Sequence, residues 1–77
     1  MIIYFEKGDT KREIGRSASR QEANKLIKSF LKEKNYEDHY WRYSYYPDHL
    51  WIDVGSWSEF FTIYPENEEE KKELTFS

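Results

Sequence analysis

Eleven of the chain's fifteen aromatic residues fall between Tyr36 and Tyr64, in the runs YWRYSYY, LWIDVGSW and EFFTIY. Aromatic side chains at alternating positions suit a pleated surface, so this block reads as sheet. Two turns divide it. Tyr46-Pro47-Asp48-His49 is the first, because proline presets φ at its second position and aspartate suits the third. If Tyr46 faces His49, then Tyr45 meets Leu50, Tyr43 meets Ile52 and Trp41 meets Val54 on one face, while Arg42 meets Asp53 on the other. A slip of one residue would put Tyr43 opposite Asp53 and send half of each apolar set to the wrong side. The second turn lies within Gly55-Ser56-Trp57-Ser58, with Gly55 as a turn glycine. A loop of two or four residues there keeps Phe61 and Ile63 with Ile52 and Val54, whereas a three-residue loop reverses the two faces.

Upstream, Ile2 to Phe5 form a short β-rich run that ends at the turn signal Lys7-Gly8-Asp9. Lys11 to Ile14 could add a second strand, although the alternation is too brief to decide it. Ser19-Arg20-Gln21-Glu22 matches a capping box, in which hydroxyl and carboxylate each take up an otherwise unpaired backbone N–H. Ala23, Leu26, Ile27, Phe30 and Leu31 then recur on one side of an amphipathic helix that ends near Lys34-Asn35.

The order is β-(β)-α-β-β-β, which predicts an α+β fold of two layers: one amphipathic helix on one face of a mainly antiparallel sheet. The domain spans residues 1–64. A helix of about 15 residues is roughly 22 Å long and 10–12 Å across, whereas four strands about 4.8 Å apart span close to 19 Å. One helix therefore covers one face. Trp41, Tyr43, Ile52, Val54, Phe61 and Ile63 are assigned to the covered face, and Tyr40, Arg42, Tyr46, Trp51, Asp53, Phe60 and Tyr64 to the open one. Aromatics with arginine are what the centres of protein interfaces favour, so the open set is the candidate interaction face.

Charge is laid out unevenly. Residues 7–34 carry +5, residues 35–64 carry −4, and the stretch from Pro65 to Ser77 carries −3, which equals the net charge of the whole chain. The last stretch is acidic and short of apolar residues apart from Leu74 and Phe76, and is expected to be a mobile tail. Lys11, Arg12, Arg16 and Arg20 form a candidate basic patch that could meet phosphate. Base stacking on sheet aromatics makes a single-stranded nucleic-acid module the alternative reading. Against it, RNP-like aromatic motifs are missing and the body of the chain is net neutral.

Catalytic chemistry finds little support. His39 and His49 fall near opposite ends of a hairpin and there is no cysteine, so no metal site is expected. Glu37-Asp38-His39 has no nucleophile beside it, and Gly8, Gly15 and Gly55 are isolated, so no phosphate-cradling loop is present. No cofactor is expected. A leader or a membrane span is not evident, and the expected compartment is the cytoplasm. The run WIDVGSWSEFFTIY, within residues 36–64, resembles a segment of small phage- and prophage-type proteins of Gram-positive bacteria. That resemblance implies a phage-type accessory protein and carries over no functional residue. The expectation is a protein that is not an enzyme and acts by contact with a protein partner or with its own copy.

Overall fold

A computed structural model of the chain describes residues 1–34, 41–55 and 59–74. Five strands and two helices follow one another: β1 (Ile2–Lys7), β2 (Thr10–Arg16), α1 (Arg20–Glu33), β3 (Arg42–Tyr45), β4 (Leu50–Asp53), β5 (Glu59–Tyr64) and α2 (Glu68–Leu74). The strands form one antiparallel sheet in the order β2-β1-β5-β4-β3. The fold is the expected small α+β arrangement, with a helical layer on one face of the sheet.

The central hairpin has the register that the alternation demands. Arg42 pairs with Asp53, Tyr43 with Ile52 and Tyr45 with Leu50, and Tyr46 N–H donates to the His49 carbonyl at 3.0 Å. Ile52 pairs with Phe61 and Leu50 with Ile63, so the second turn keeps Phe61 and Ile63 on the face of Ile52, as loops of even length do. Gly55 has φ of 93°, the conformation expected of a turn glycine. Lys11 to Ile14 do belong to a strand, β2. Its pairing with β1 shifts by one residue between Ile3 and Tyr4, a bulge that admits Ile14 as an extra residue packed toward the core.

Helix α1 starts where the capping box places it. Ser19 Oγ accepts from Glu22 N–H at 3.2 Å, and Glu22 Oε2 accepts from Ala18 N–H at 3.2 Å, one residue earlier than the motif in its simplest form. Ala23, Ile27, Phe30 and Leu31 are buried and Leu26 packs at their margin. They meet Ile3, Leu50, Ile52, Val54, Phe61 and Ile63 from the sheet. Phe30 sits edge-on to Phe61, with centroids 5.8 Å apart, and 4.8 Å from the Phe5 ring.

Two expectations need correction. The segment after Pro65 is not wholly a tail: Glu68–Leu74 form α2, and Leu74, only 1% exposed, belongs to the core together with Met1. Asn67 caps this helix by accepting Glu70 N–H at 2.9 Å, and Glu70 Oε1 accepts Glu66 N–H at 2.9 Å. Tyr43, assigned to the covered face, does point to the side of α1 but remains 37% exposed. It lies on β3, the edge strand, where the side chain of Arg20 from the first turn of α1 is what covers it.

Candidate functional site

The face away from α1 follows from strand parity. Ile2, Tyr4 and Glu6 on β1 stand opposite Tyr64, Thr62 and Phe60 on β5, and Thr62 and Phe60 stand opposite Trp51 and Asp53 on β4. Arg42 opposite Asp53 extends the row to β3, and Lys11 opposite Glu6 extends it to β2. Trp51, Asp53, Phe60 and Tyr64 of the expected set therefore share this face, with Arg42 and Tyr46 beside them. Tyr40 lies outside the described residues.

Two aromatic groups make up this surface. In one, the His49 ring stacks between Tyr46, at 4.7 Å, and Tyr64, at 5.1 Å, and Tyr64 meets Tyr4 edge-on at 5.5 Å. Lys11 closes that row: its Nζ lies 4.7 Å from the Tyr4 centroid and 4.4 Å from that of Tyr64, and donates to Tyr64 Oη at 3.0 Å. That hydrogen bond raises the Lys11 pKa above its ordinary value, with burial acting against it. In the other group Trp51 and Phe60 lie 5.2 Å apart at a tilt of 48°. Thr62 runs beneath the two groups, 2% exposed, and donates to Glu6 Oε2 at 2.8 Å. Arg42 Nη2 pairs with Asp53 Oδ2 at 3.5 Å.

Mutual packing leaves most of these rings half-buried, while Tyr46 is 46% exposed. The other two large side chains exposed to a similar degree, Tyr43 and Tyr45, belong to the opposite face of β3. There Arg20 covers them: its guanidinium carbon is 4.8 Å from the Tyr43 centroid and 5.4 Å from that of Tyr45, and it donates to Tyr45 Oη at 2.9 Å.

The four residues of the basic stretch are not brought together. Lys11 and Arg16 lie on the outer face, Arg12 lies on the face of α1 with its guanidinium 5.6 Å from the Phe30 centroid, and Arg20 caps the tyrosines of β3. Arg16 is further engaged by Glu13 at 3.6 Å and Glu66 at 3.3 Å. Counterion release requires cations that converge on one backbone, and these do not.

Sequence reasoning missed Tyr4 and His49 as parts of the outer face. The register with Tyr46 opposite His49 already placed the histidine beside it. Tyr4 alternates with Ile3 and Phe5, and that signal would have found it once β1 was seated beside β5. Among the described residues no group of three or more His, Cys, Asp or Glu side chains could hold a metal, and no helix is long and apolar enough to cross a membrane. Comparison with protein-family models, with curated proteins and with solved structures gives no match.

Proposed function

We propose that this chain is a non-enzymatic accessory protein, of the phage-encoded kind and acting in the cytoplasm, that works by binding another protein through the outer face of its sheet. The observation that carries this reading is the placement of both described helices. α1 packs on the opposite face, and α2 contributes Leu74 to the core between them. Tyr46, Trp51, Phe60 and Tyr64 then form an aromatic surface that no described helix covers, flanked by the Arg42–Asp53 pair. Tyr, Trp and Arg dominate the energetics of protein interfaces, where truncating a central aromatic typically costs 2 kcal/mol or more, about a thirtyfold loss of affinity.

The test compares the wild type with Trp51→Ala and Phe60→Ala, by sedimentation for self-association and by affinity capture for a partner. Both variants are expected to stay folded and to lose association. Folded variants that associate as the wild type does would leave this face without a role. The nucleic-acid alternative has weaker support, since the basic stretch divides between two faces. Fluorescence titration with single-stranded oligonucleotides at low salt checks it, and binding that weakens steeply with salt is what that alternative requires.

A further inference from the structure

On the opposite face, helix α1 stops at Glu33, and Lys34 just beyond it lies beside the tip of the β1–β2 hairpin. The side chains of that tip on the helix side come from two cross-strand pairs, Phe5 with Arg12 and Lys7 with Thr10. Together with Lys34 at the end of α1 they line a solvent-facing cleft of about 160 Å³. Phe5 forms its apolar floor, continued by the Phe30 ring 4.8 Å away. Arg12 and Lys34 each stand over that Phe30 ring, their charges 5.6 and 5.7 Å from its centroid.

Three cations thus border one small cleft in a chain whose net charge is −3. The negative end of the α1 dipole accounts for Lys34, but not for Lys7 and Arg12, which come from strands. Lys7 pairs with Glu59 at 3.5 Å, whereas Arg12 and Lys34 pair with no carboxylate among the described residues. Like charges held together without counter-charge attract an anion. A cavity of about 150 Å³ takes up a single benzene ring, so the space suits a body of that size lying against Phe5.

We infer that this cleft is a binding site for an anion carried on a ring-sized apolar body, an aryl phosphate or aryl carboxylate. Arg12 supplies a planar fork for two oxygens, Lys34 and Lys7 supply point charges, and Phe5 receives the ring. Its location on the face of α1 makes the inference independent of the proposed role of the outer face.

The test follows backbone amide resonances of the whole chain during titration with phenyl phosphate and, separately, benzoate. Saturable shifts confined to Phe5, Lys7, Thr10, Arg12, Phe30 and Lys34 are expected, with the dianion binding more tightly. Inorganic phosphate and benzyl alcohol, each lacking half of the recognised chemistry, are expected to bind at least about tenfold more weakly. Arg12→Gln and Lys34→Gln, each checked for an intact spectrum, are expected to weaken phenyl phosphate about tenfold, while Trp51→Ala leaves it unchanged. The inference is overturned by shifts that do not saturate or that fall elsewhere, by benzyl alcohol or inorganic phosphate binding equally well, by unchanged affinity in folded Arg12→Gln and Lys34→Gln, or by loss of binding in Trp51→Ala.

Discussion

Leu74→Ala is the substitution that most sharply tests whether α2 belongs to the fold. A helix of seven residues is far below the length at which an isolated helix persists in water, so α2 depends on what it docks against. Its docking contact is Leu74, which is 1% exposed and shares the core with Met1 and Ile27. Truncating a fully buried leucine removes about 2–5 kcal/mol through lost transfer energy and the cavity left behind. For a chain of this length the whole stability is roughly 4–12 kcal/mol, so a central value of about 3 kcal/mol is a large fraction of it. At about 4–8 °C per kcal/mol for a domain of this size, the melting temperature should fall by roughly 12–24 °C. Thermal and urea unfolding followed by tryptophan fluorescence measure this, with Glu69→Ala on the exposed side of α2 as a control expected to stay within about 0.5 kcal/mol. A Leu74→Ala protein whose stability lies within that same margin would mean that the segment after Pro65 is a tail after all, and would refute the packing argument.

Substitutions at three further positions are informative. Gly8 has φ of +59° with open space where a Cβ would stand, so Gly8→Ala should cost about 1 kcal/mol from backbone strain alone, and Gly8→Asn less, by urea unfolding. Ser19→Ala removes the acceptor for Glu22 N–H and should lower stability by about 1 kcal/mol in the same assay. The α-ammonium of Met1 donates to the Ser17 carbonyl at 2.7 Å and pairs with Glu66 and Glu70; burial opposes its charge, but the hydrogen bonds to the two carboxylates outweigh that and raise its pKa. The hydrogen bond from this ammonium, joined by Glu66 N–H, lowers the pKa of Glu70. The raised ammonium contributes stability that is full below its ordinary 8.0 and lost as pH rises through the folded value. The lowered Glu70 contributes stability that is full above its ordinary 4.5 and lost as pH falls through the folded value. Glu70→Gln should therefore lower the plateau between those limits and flatten both limbs, read from melting temperature against pH; a profile parallel to the wild type would contradict this pairing.

The sheet was legible where period and turn chemistry agree. From Trp41 to Val54 a hydrophobic alternation of two meets Pro47-Asp48, and only one register keeps both apolar sets together, whereas the faces of Phe60 and Phe61 depended on the length of the second loop. Helix α1 was legible because Ser19 and Glu22 sit ahead of a period of 3.6. α2 was not, since seven residues with a single apolar side chain, Leu74, offer no period to detect. One local signal was nevertheless present: Asn67 followed by Glu70 has the spacing of a cap and its reciprocal carboxylate; Asn67 accepts Glu70 N–H, and Glu70 reaches back to Glu66 N–H, one residue earlier than the simplest form of the motif. Tyr43 illustrates a different limit. Parity places it correctly on the side of α1, but parity says nothing about how far along the sheet a helix reaches, and exposure on an edge strand depends on that reach.

Charge follows the same logic, because linear runs do not say what folds against them. The basic stretch and the acidic segment after Pro65 look like two separate surfaces in sequence, yet the fold sets one against the other. Arg16 meets Glu66, the backbone N–H of Arg20 donates to Glu73 at 3.3 Å, and the Met1 ammonium takes Glu66 and Glu70. Lys11 is drawn between Tyr4 and Tyr64, and Arg20 onto the tyrosines of β3. Arg12 is the cation of this stretch that no carboxylate or helix end accounts for among the described residues, and it lies where the run analysis did not look, over Phe30 near the hairpin tip, in a cleft that Lys7 and Lys34 also line. The outer aromatic face and this cleft are thus distinct consequences of one arrangement: a single long helix that packs on one face of the sheet and ends beside the tip of the β1–β2 hairpin.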